Sequence, residues 1–388
     1  MGVAELIDEH GSPLWLVNLD IARDRYRAFD ATWRAAWPDV QVAYSYKANR
    51  VPALLRALAA KGAGHQVGTE AEYALARAVA DADGASIVVH GPAKRAALLE
   101  RAGADGALVV LDSAAELRRA HAAGVKRVGV RVSLPGVGHG TSHFGVPATE
   151  IPAIAREAAA LGLRLEALAM HLVSAGFDRP MGEVTRLAGA LVVKWPQPPE
   201  RFAAAARMLA QLAVRLGVPV VDVGGGFPPA LHEGQYARAV AAAIGTAGFE
   251  GRIVVEPGRA VVADAVDLAC RVAAVKRRPD RTRCVILDAG TDLVAGALFA
   301  WPRIEAAGDA GAPAGPALVC GPLCTNVDVL HTAADLPAVA VGDPIVIRGV
   351  GAYHQTQSTR FGEPHPAVVA RDEGRWKLCS RQIGRAHV

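Results

Sequence analysis

The sequence predicts an α/β fold: a parallel TIM-type (β/α)8 barrel plus a C-terminal antiparallel β domain completed by the N-terminal strand. Three observations carry this. Eight short runs rich in β-branched residues alternate with Ala/Leu/Arg-rich stretches of helical period. After Arg259 strand-like runs follow one another without long helices between them. A single lysine, Lys47, closes the first of the eight runs, where a parallel barrel gathers its reactive residues.

In chain order, residues 14–17 read as a strand that precedes the barrel and joins the later β domain. The barrel runs are 41–46, 65–67, 86–90, 107–111, 127–132, 165–171, 218–223 and 252–256, with helical segments such as 51–61 and 70–80 between them. The interval between His171 and Val218 is anomalously long and holds Pro180, Lys194-Trp195-Pro196 and Pro198-Pro199. It reads as an insertion over 175–200, a candidate lid or substrate loop, ahead of a helix over 201–216. The β domain takes its strands from 266–275, 284–287, 344–348, 367–370 and 376–379. The expected boundaries are 25–262 for the barrel, with 1–24 and 263–388 forming the β-sandwich or β-barrel domain.

Composition narrows the function classes. A chain of 388 residues, 52% apolar and 21% charged, is an ordinary globular protein with room for two domains. Its net charge of +4 is scattered, with only Lys276-Arg277-Arg278 clustered, so nucleic acid is not an expected partner. The start carries Glu5, Asp8 and Glu9 without a long apolar stretch, so no signal peptide is expected. No uninterrupted apolar run reaches the roughly 18 residues of a membrane span. Five cysteines lack metal-ligand spacing, which predicts reduced thiols in a cytoplasmic protein and no metal site.

Three segments carry chemistry. A lysine at a barrel strand's end can form a Schiff base with an aldehyde cofactor. Val221-Asp222-Val223-Gly224-Gly225-Gly226 is a strand ending in three glycines, whose backbone can approach a phosphate closely. In Glu256-Pro257-Gly258-Arg259 a carboxylate at the eighth strand's end can pair with a protonated pyridine nitrogen, and the arginine with a phosphate.

With these motifs the chain resembles the fold-type III pyridoxal phosphate decarboxylases, the group of diaminopimelate and ornithine decarboxylases that shares its barrel with alanine racemase. The similarity runs nearly end to end. It includes Gly11-Ser12-Pro13-Leu14, Tyr46-Lys47-Ala48-Asn49, Gly91-Pro92-Ala93-Lys94, Asp112-Ser113 with Glu116-Leu117, and Ser142-His143-Phe144-Gly145. It closes with Asp288-Ala289-Gly290, Gly321-Pro322-Leu323-Cys324 and Gly351-Ala352-Tyr353.

The resemblance implies pyridoxal 5'-phosphate as cofactor, held by Lys47, with Arg131 also a cofactor contact and His171 against the pyridine ring. It places Ser174, Gly224, Gly225, Gly226, Gly258, Arg259 and Tyr353 around the phosphate and Glu256 at the ring nitrogen. Cys324 is implied as the acid that reaches the partner subunit's site, so a homodimer with shared sites is expected. Glu256 favours decarboxylation, because it keeps the ring protonated and electron-withdrawing. An amino-acid racemase on the same scaffold and a non-catalytic homologue that binds a protein partner are the alternatives.

The departures from the family pattern fall where substrate is held. Ala295 and Phe299 stand where diaminopimelate decarboxylases carry an arginine and a tyrosine, and Thr325 replaces the glutamate that reads the distal amine. Asp328 and His354 complete the expected substrate contacts. A buried ammonium without a counter-charge is costly. The expected substrate is therefore an unusual or biosynthetic amino acid, free or carrier-tethered, rather than diaminopimelate, ornithine or lysine. His143 stands where relatives carry a lysine that pairs across the dimer with the carboxylate at Asp328.

Overall fold

A computed structural model describes residues 1–134, 143–172, 197–229, 233–298, 301–308, 312–359, 361 and 364–381. The chain divides into two compact units. One takes the described residues from Asp24 to Val261, the other Met1–Arg23 and those from Val262 onward. Strand β1 (Leu14–Asn18) belongs to the second unit.

The first unit is a closed barrel. Its strands are β2 (Val40–Ser45), β3 (Gly64–Val67), β4 (Ile87–Val89), β5 (Leu108–Leu111) and β6 (Arg127–Ser133), then, past the two-residue β7 (Val146–Pro147), β8 (Arg164–Ala169), β9 (Val220–Asp222) and β10 (Arg252–Val255). They run in the order β5-β4-β3-β2-β10-β9-β8-β6, all parallel, and pairing of β5 with β6 closes the ring. All eight expected runs are present.

Strands buried on both faces read as continuous apolar runs, which is why these segments lack polar alternation. Inside the ring, Ala43, Val88, Leu108, Val110, Ala167, Ala169, Val220 and Val254 pack into one cluster. Alanines facing valines and leucines fill a barrel of this size without leaving a pore. Outside, the helix Pro199–Leu216 buries Phe202, Leu209 and Leu212. Phe202 stacks on Phe227 at 5.0 Å between ring centroids, and Trp33 meets Phe227 edge-on at 5.3 Å. These rings back the glycine run that precedes Phe227.

The second unit is a nine-stranded sheet. Its later strands are β11 (Val266–Arg277), β12 (Arg283–Leu287), β13 (Arg303–Ala306), β14 (Pro316–Cys320), β15 (Val329–Asp335), β16 (Pro344–Arg348), β17 (Ala367–Asp372) and β18 (Arg375–Ser380). The order is β15-β14-β12-β11-β1-β17-β18, with β16 on β11 and β13 on β16. The N-terminal strand thus lies inside the sheet, with Leu14 opposite Ala269 and Ala367.

The sheet is mixed rather than purely antiparallel: β1 runs parallel to β17, and β12 to β14. Neither pair is joined by a hairpin, so no tight turn fixes its direction. The helix Val3–His10 adds Leu6 and Ile7 to a core of Leu14, Leu16, Ala269, Ala367 and Val369.

Candidate active site

Strand β2 delivers its last residues between the loops after β3 and β10. The Ser45 amide donates to the Pro257 carbonyl and the Tyr46 amide to the Gln66 carbonyl, each at 3.0 Å. Tyr46 is buried and its hydroxyl lies 3.0 Å from His65 Nδ1. Burial pushes His65 down to about 4, so its ring is neutral. Lys47, the next residue, is exposed, and its charge acts on both His171 and Glu256. Rigid, buried neighbours thus anchor a solvent-reachable amine.

Strands β4, β9 and β10 converge on a buried charge cluster. His90, just past β4, places Nε2 2.8 Å from Glu256 Oε1 and 3.3 Å from Asp222 Oδ2. Burial alone would lower the His90 pKa, but the Glu256 and Asp222 carboxylates overcome it and raise it to about 9. Burial acts to raise both carboxyl groups. The beneficiary of the imidazolium is Glu256, which stays below its usual range, while Asp222 is raised because Glu256 adds repulsion to its desolvation. Despite the 2.8 Å approach of His90, Glu256 Oε1 has no aligned hydrogen-bond donor among the described residues.

The glycine run follows Asp222. The Gly224 amide donates to Asp222 Oδ1 at 2.8 Å, and the Glu256 amide to the Gly224 carbonyl at 2.8 Å. Gly224 has φ +68 and Gly226 φ +101, a region that glycine enters without strain. A Cβ on Gly225 would lie 2.3 Å from the Glu256 carbonyl oxygen. The Gly225 amide donates to His171 Nδ1 at 3.2 Å, which fixes the proton of a neutral ring on Nε2. Burial, with Lys47 and Arg131 nearby, holds His171 well below the ordinary histidine value.

Arg131, on β6, lies over the Phe144 ring at 4.4 Å and makes no ion pair among the described residues. Burial pulls its pKa down against the carboxylates of Asp112, Glu256 and Asp222. Gly258 is buried and Arg259 opens the short helix Arg259–Val262.

The remaining expected residues lie in the second unit. Cys324 and Thr325 are exposed on a loop that Asp328 ties down. Asp328 is 3% exposed and turned inward: Oδ1 accepts from the Thr291 amide at 2.7 Å and Oδ2 from the Leu323 amide at 2.7 Å. Tyr353 has φ +70, a costly conformation for a bulky residue. His354 Nδ1 accepts from the Gly296 amide at 3.4 Å, in the turn Ala295–Leu298. Ser174, Phe299 and residues 175–196 of the expected insertion lie outside the described residues.

The barrel unit therefore brings Lys47, Arg131, His171, Gly224, Gly225, Gly226, Glu256, Gly258 and Arg259 to the carboxyl ends of its strands. Residues 24–263 match the family model for the pyridoxal binding domain of pyridoxal-dependent decarboxylases. The chain belongs to this family.

As a pyridoxal-dependent amino-acid decarboxylase it uses pyridoxal phosphate. It is 29% identical to diaminopimelate decarboxylase of Deinococcus radiodurans over 96% of this chain and 93% of that one. It is 30% identical to the Actinosynnema pretiosum enzyme of the same name over 95% of this chain and 86% of that one. Lysine/ornithine decarboxylase of Selenomonas ruminantium is 24% identical over 93% and 90%. The fold matches diaminopimelate decarboxylase of Helicobacter pylori, crystallised with L-lysine, at TM-score 0.84, 23% identity and coverage of 97% and 96%.

The decarboxylase's own residues fit the cofactor. Glu256 is a buried carboxylate held below its usual range, as an acceptor for a pyridinium N–H requires. Arg131 is a sequestered cation without an ion pair among the described residues. The backbone around Gly225 leaves no space for a Cβ.

Two site residues were not singled out for catalysis from sequence, His90 and Asp222. His90 follows a barrel strand directly, and Asp222 interrupts an apolar strand; both positions are signals that a charged group faces the site. No helix among the described residues is long and apolar enough to cross a membrane.

Proposed function

We propose that this decarboxylase removes the α-carboxylate of an amino acid other than diaminopimelate, ornithine or lysine, in a homodimer whose Cys324 serves the partner subunit's site. The observation that carries this is Glu256: a buried carboxylate that stays ionised at the eighth strand's end, with His90 2.8 Å away. Pyridoxal phosphate, when bound, supplies an electron sink for the bond pair left as carbon dioxide departs.

The chain's residues do the rest. The Lys47 amine would hold the cofactor. Glu256 would accept the ring N–H, and the neutral His171 ring would pack against the pyridine without adding charge. The glycine run Gly224, Gly225 and Gly226, with Gly258, Arg259, Tyr353 and Ser174, would hold the phosphate. Arg131 would supply a positive charge to the cofactor. The Cys324 thiol delivers the proton that replaces the carboxylate on the α-carbon.

Substrate choice rests on Ala295, Phe299, Thr325, Asp328 and His354. Thr325 offers no negative charge, and Asp328 is occupied by backbone amides, so neither supports a distal ammonium. A larger or less charged side chain, free or carried on a larger scaffold, suits these residues.

The test is mass spectrometry of products from a broad amino-acid panel with pyridoxal phosphate in deuterated water. The expected product is an amine that has lost carbon dioxide and gained one deuterium. Intact amino acid exchanged at its α-carbon contradicts the reaction. Efficient turnover of diaminopimelate, ornithine or lysine contradicts the substrate class.

A further inference from the structure

We propose that His90 is a positioning residue: lying between the Glu256 and Asp222 carboxylates, it keeps their shared proton on its own ring and so preserves Glu256 as an acceptor for the cofactor's ring nitrogen. The proposal rests on the reading of Glu256 given above.

The geometry sets the problem that His90 solves. The Asp222 and Glu256 side chains are 1% and 3% exposed, and both approach His90 Nε2 within 3.3 Å. Two desolvated carboxylates this close resist double ionisation, and one of them tends to keep a proton. A proton on Glu256 would convert it from an acceptor to a donor, which opposes a protonated ring nitrogen. An imidazolium between them removes that need. Glu256 stays ionised, and above about 7, where Asp222 loses its proton, the cluster holds one net negative charge against the ring.

The hydrogen bonds favour the same division of labour. Asp222 already receives the Gly224 amide through Oδ1, whereas the nearest donor to Glu256 Oε1 is His90 Nε2 at 2.8 Å. The upward displacement of His90 to about 9 agrees with a charged ring. Other groups that face the cluster do not replace it. Lys47 is committed to the cofactor, Arg131 is shared with Asp112, and burial keeps His171 neutral. His65, on the neighbouring strand, is neutral against Tyr46.

The test follows the absorbance of the bound cofactor from pH 6 to 8, below the His90 value of about 9, with cofactor affinity measured by titration. Wild-type absorbance should stay constant. H90Q, which keeps a donor but not the charge, should titrate within this range and bind cofactor about tenfold more weakly, near 1.4 kcal/mol. H90Q/D222N removes one charge of each sign and should restore the constant profile. A constant profile with unchanged affinity in H90Q overturns the proposal, as does a double variant that titrates like the single one.

Nitrogen NMR of His90 in the cofactor-free wild type needs no variant to fold. An imidazolium at pH 7.5 supports the cluster; a neutral ring overturns it. A charged His90 combined with an E256Q holoenzyme of unaltered absorbance would instead overturn the reading of Glu256.

Discussion

Lys94 Nζ lies 2.9 Å from Glu116 Oε2, with the two side chains 0% and 2% exposed. This buried pair joins the loop after β4 to the helix Ala114–Ala122 that follows β5. Lys94 donates to the Gly91 carbonyl, and Glu116 accepts the Asp112 amide. Asp112 in turn accepts the Gly145 amide at 3.2 Å, next to the Phe144 ring that faces Arg131. Removing one partner leaves a charge stranded in the protein. Glu116→Ala is expected to cost about 3–5 kcal/mol in urea denaturation, and the Lys94→Met/Glu116→Leu pair markedly less. A loss under about 1 kcal/mol, the scale of a surface pair, would contradict a buried pair.

His65 makes stability depend on pH. Its folded pKa, about 4, lies below the unfolded value near 6.5 because burial disfavours the charged ring. The unfolded chain therefore binds the extra proton, and the contribution, complete above about 6.5, is lost as pH falls toward 4. Relative to His65→Gln, the wild type should lose stability more steeply in this window, by at most about 1.4 kcal/mol per pH unit. Parallel curves from chemical denaturation would contradict a buried neutral His65.

Gly225 is expected to tolerate no side chain. A Cβ there would meet the Glu256 carbonyl at 2.3 Å and push apart two loops of the cofactor site. Overpacking of this kind costs about 1–3 kcal/mol. Gly225→Ala should weaken pyridoxal phosphate binding at least about tenfold, the equivalent of about 1.4 kcal/mol. Fluorescence titration giving an unchanged Kd would show that the glycine run does not shape the site.

Thr325 tests the substrate assignment. A carboxylate placed there restores a counter-charge for a distal ammonium, and a charge-assisted hydrogen bond contributes about 1.5–3 kcal/mol. Thr325→Glu should raise turnover of diaminopimelate or lysine at least about tenfold, measured as carbon dioxide release. No gain would mean that other residues exclude these substrates.

Much of this was legible in the sequence because apolar β-branched runs at regular spacing leave little choice of barrel strands. Lys47, the triple glycine and Glu256 stand where those runs end, so motif and topology agree. Strands β13, β14 and β15 were not anticipated. Segments such as Pro316–Cys320 and Val329–Asp335 are short, carry alanine or proline, and owe their strand state to pairing with distant partners. The parallel placement of β1 beside β17 joins residues over three hundred positions apart, such as Leu14 and Ala367, and no local pattern encodes it. His90 alone carries a weak signal in the sequence, because a single histidine is more often structural. Only the three-dimensional approach of Glu256 and Asp222 reveals its company.

The most direct test of the account is borohydride reduction of the holoenzyme followed by peptide mass spectrometry. A reduced pyridoxyl adduct on Lys47, with no turnover in Lys47→Ala, is the predicted result. An adduct on another lysine, or turnover that survives Lys47→Ala, would contradict the assignment of this barrel mouth as the decarboxylase's cofactor site.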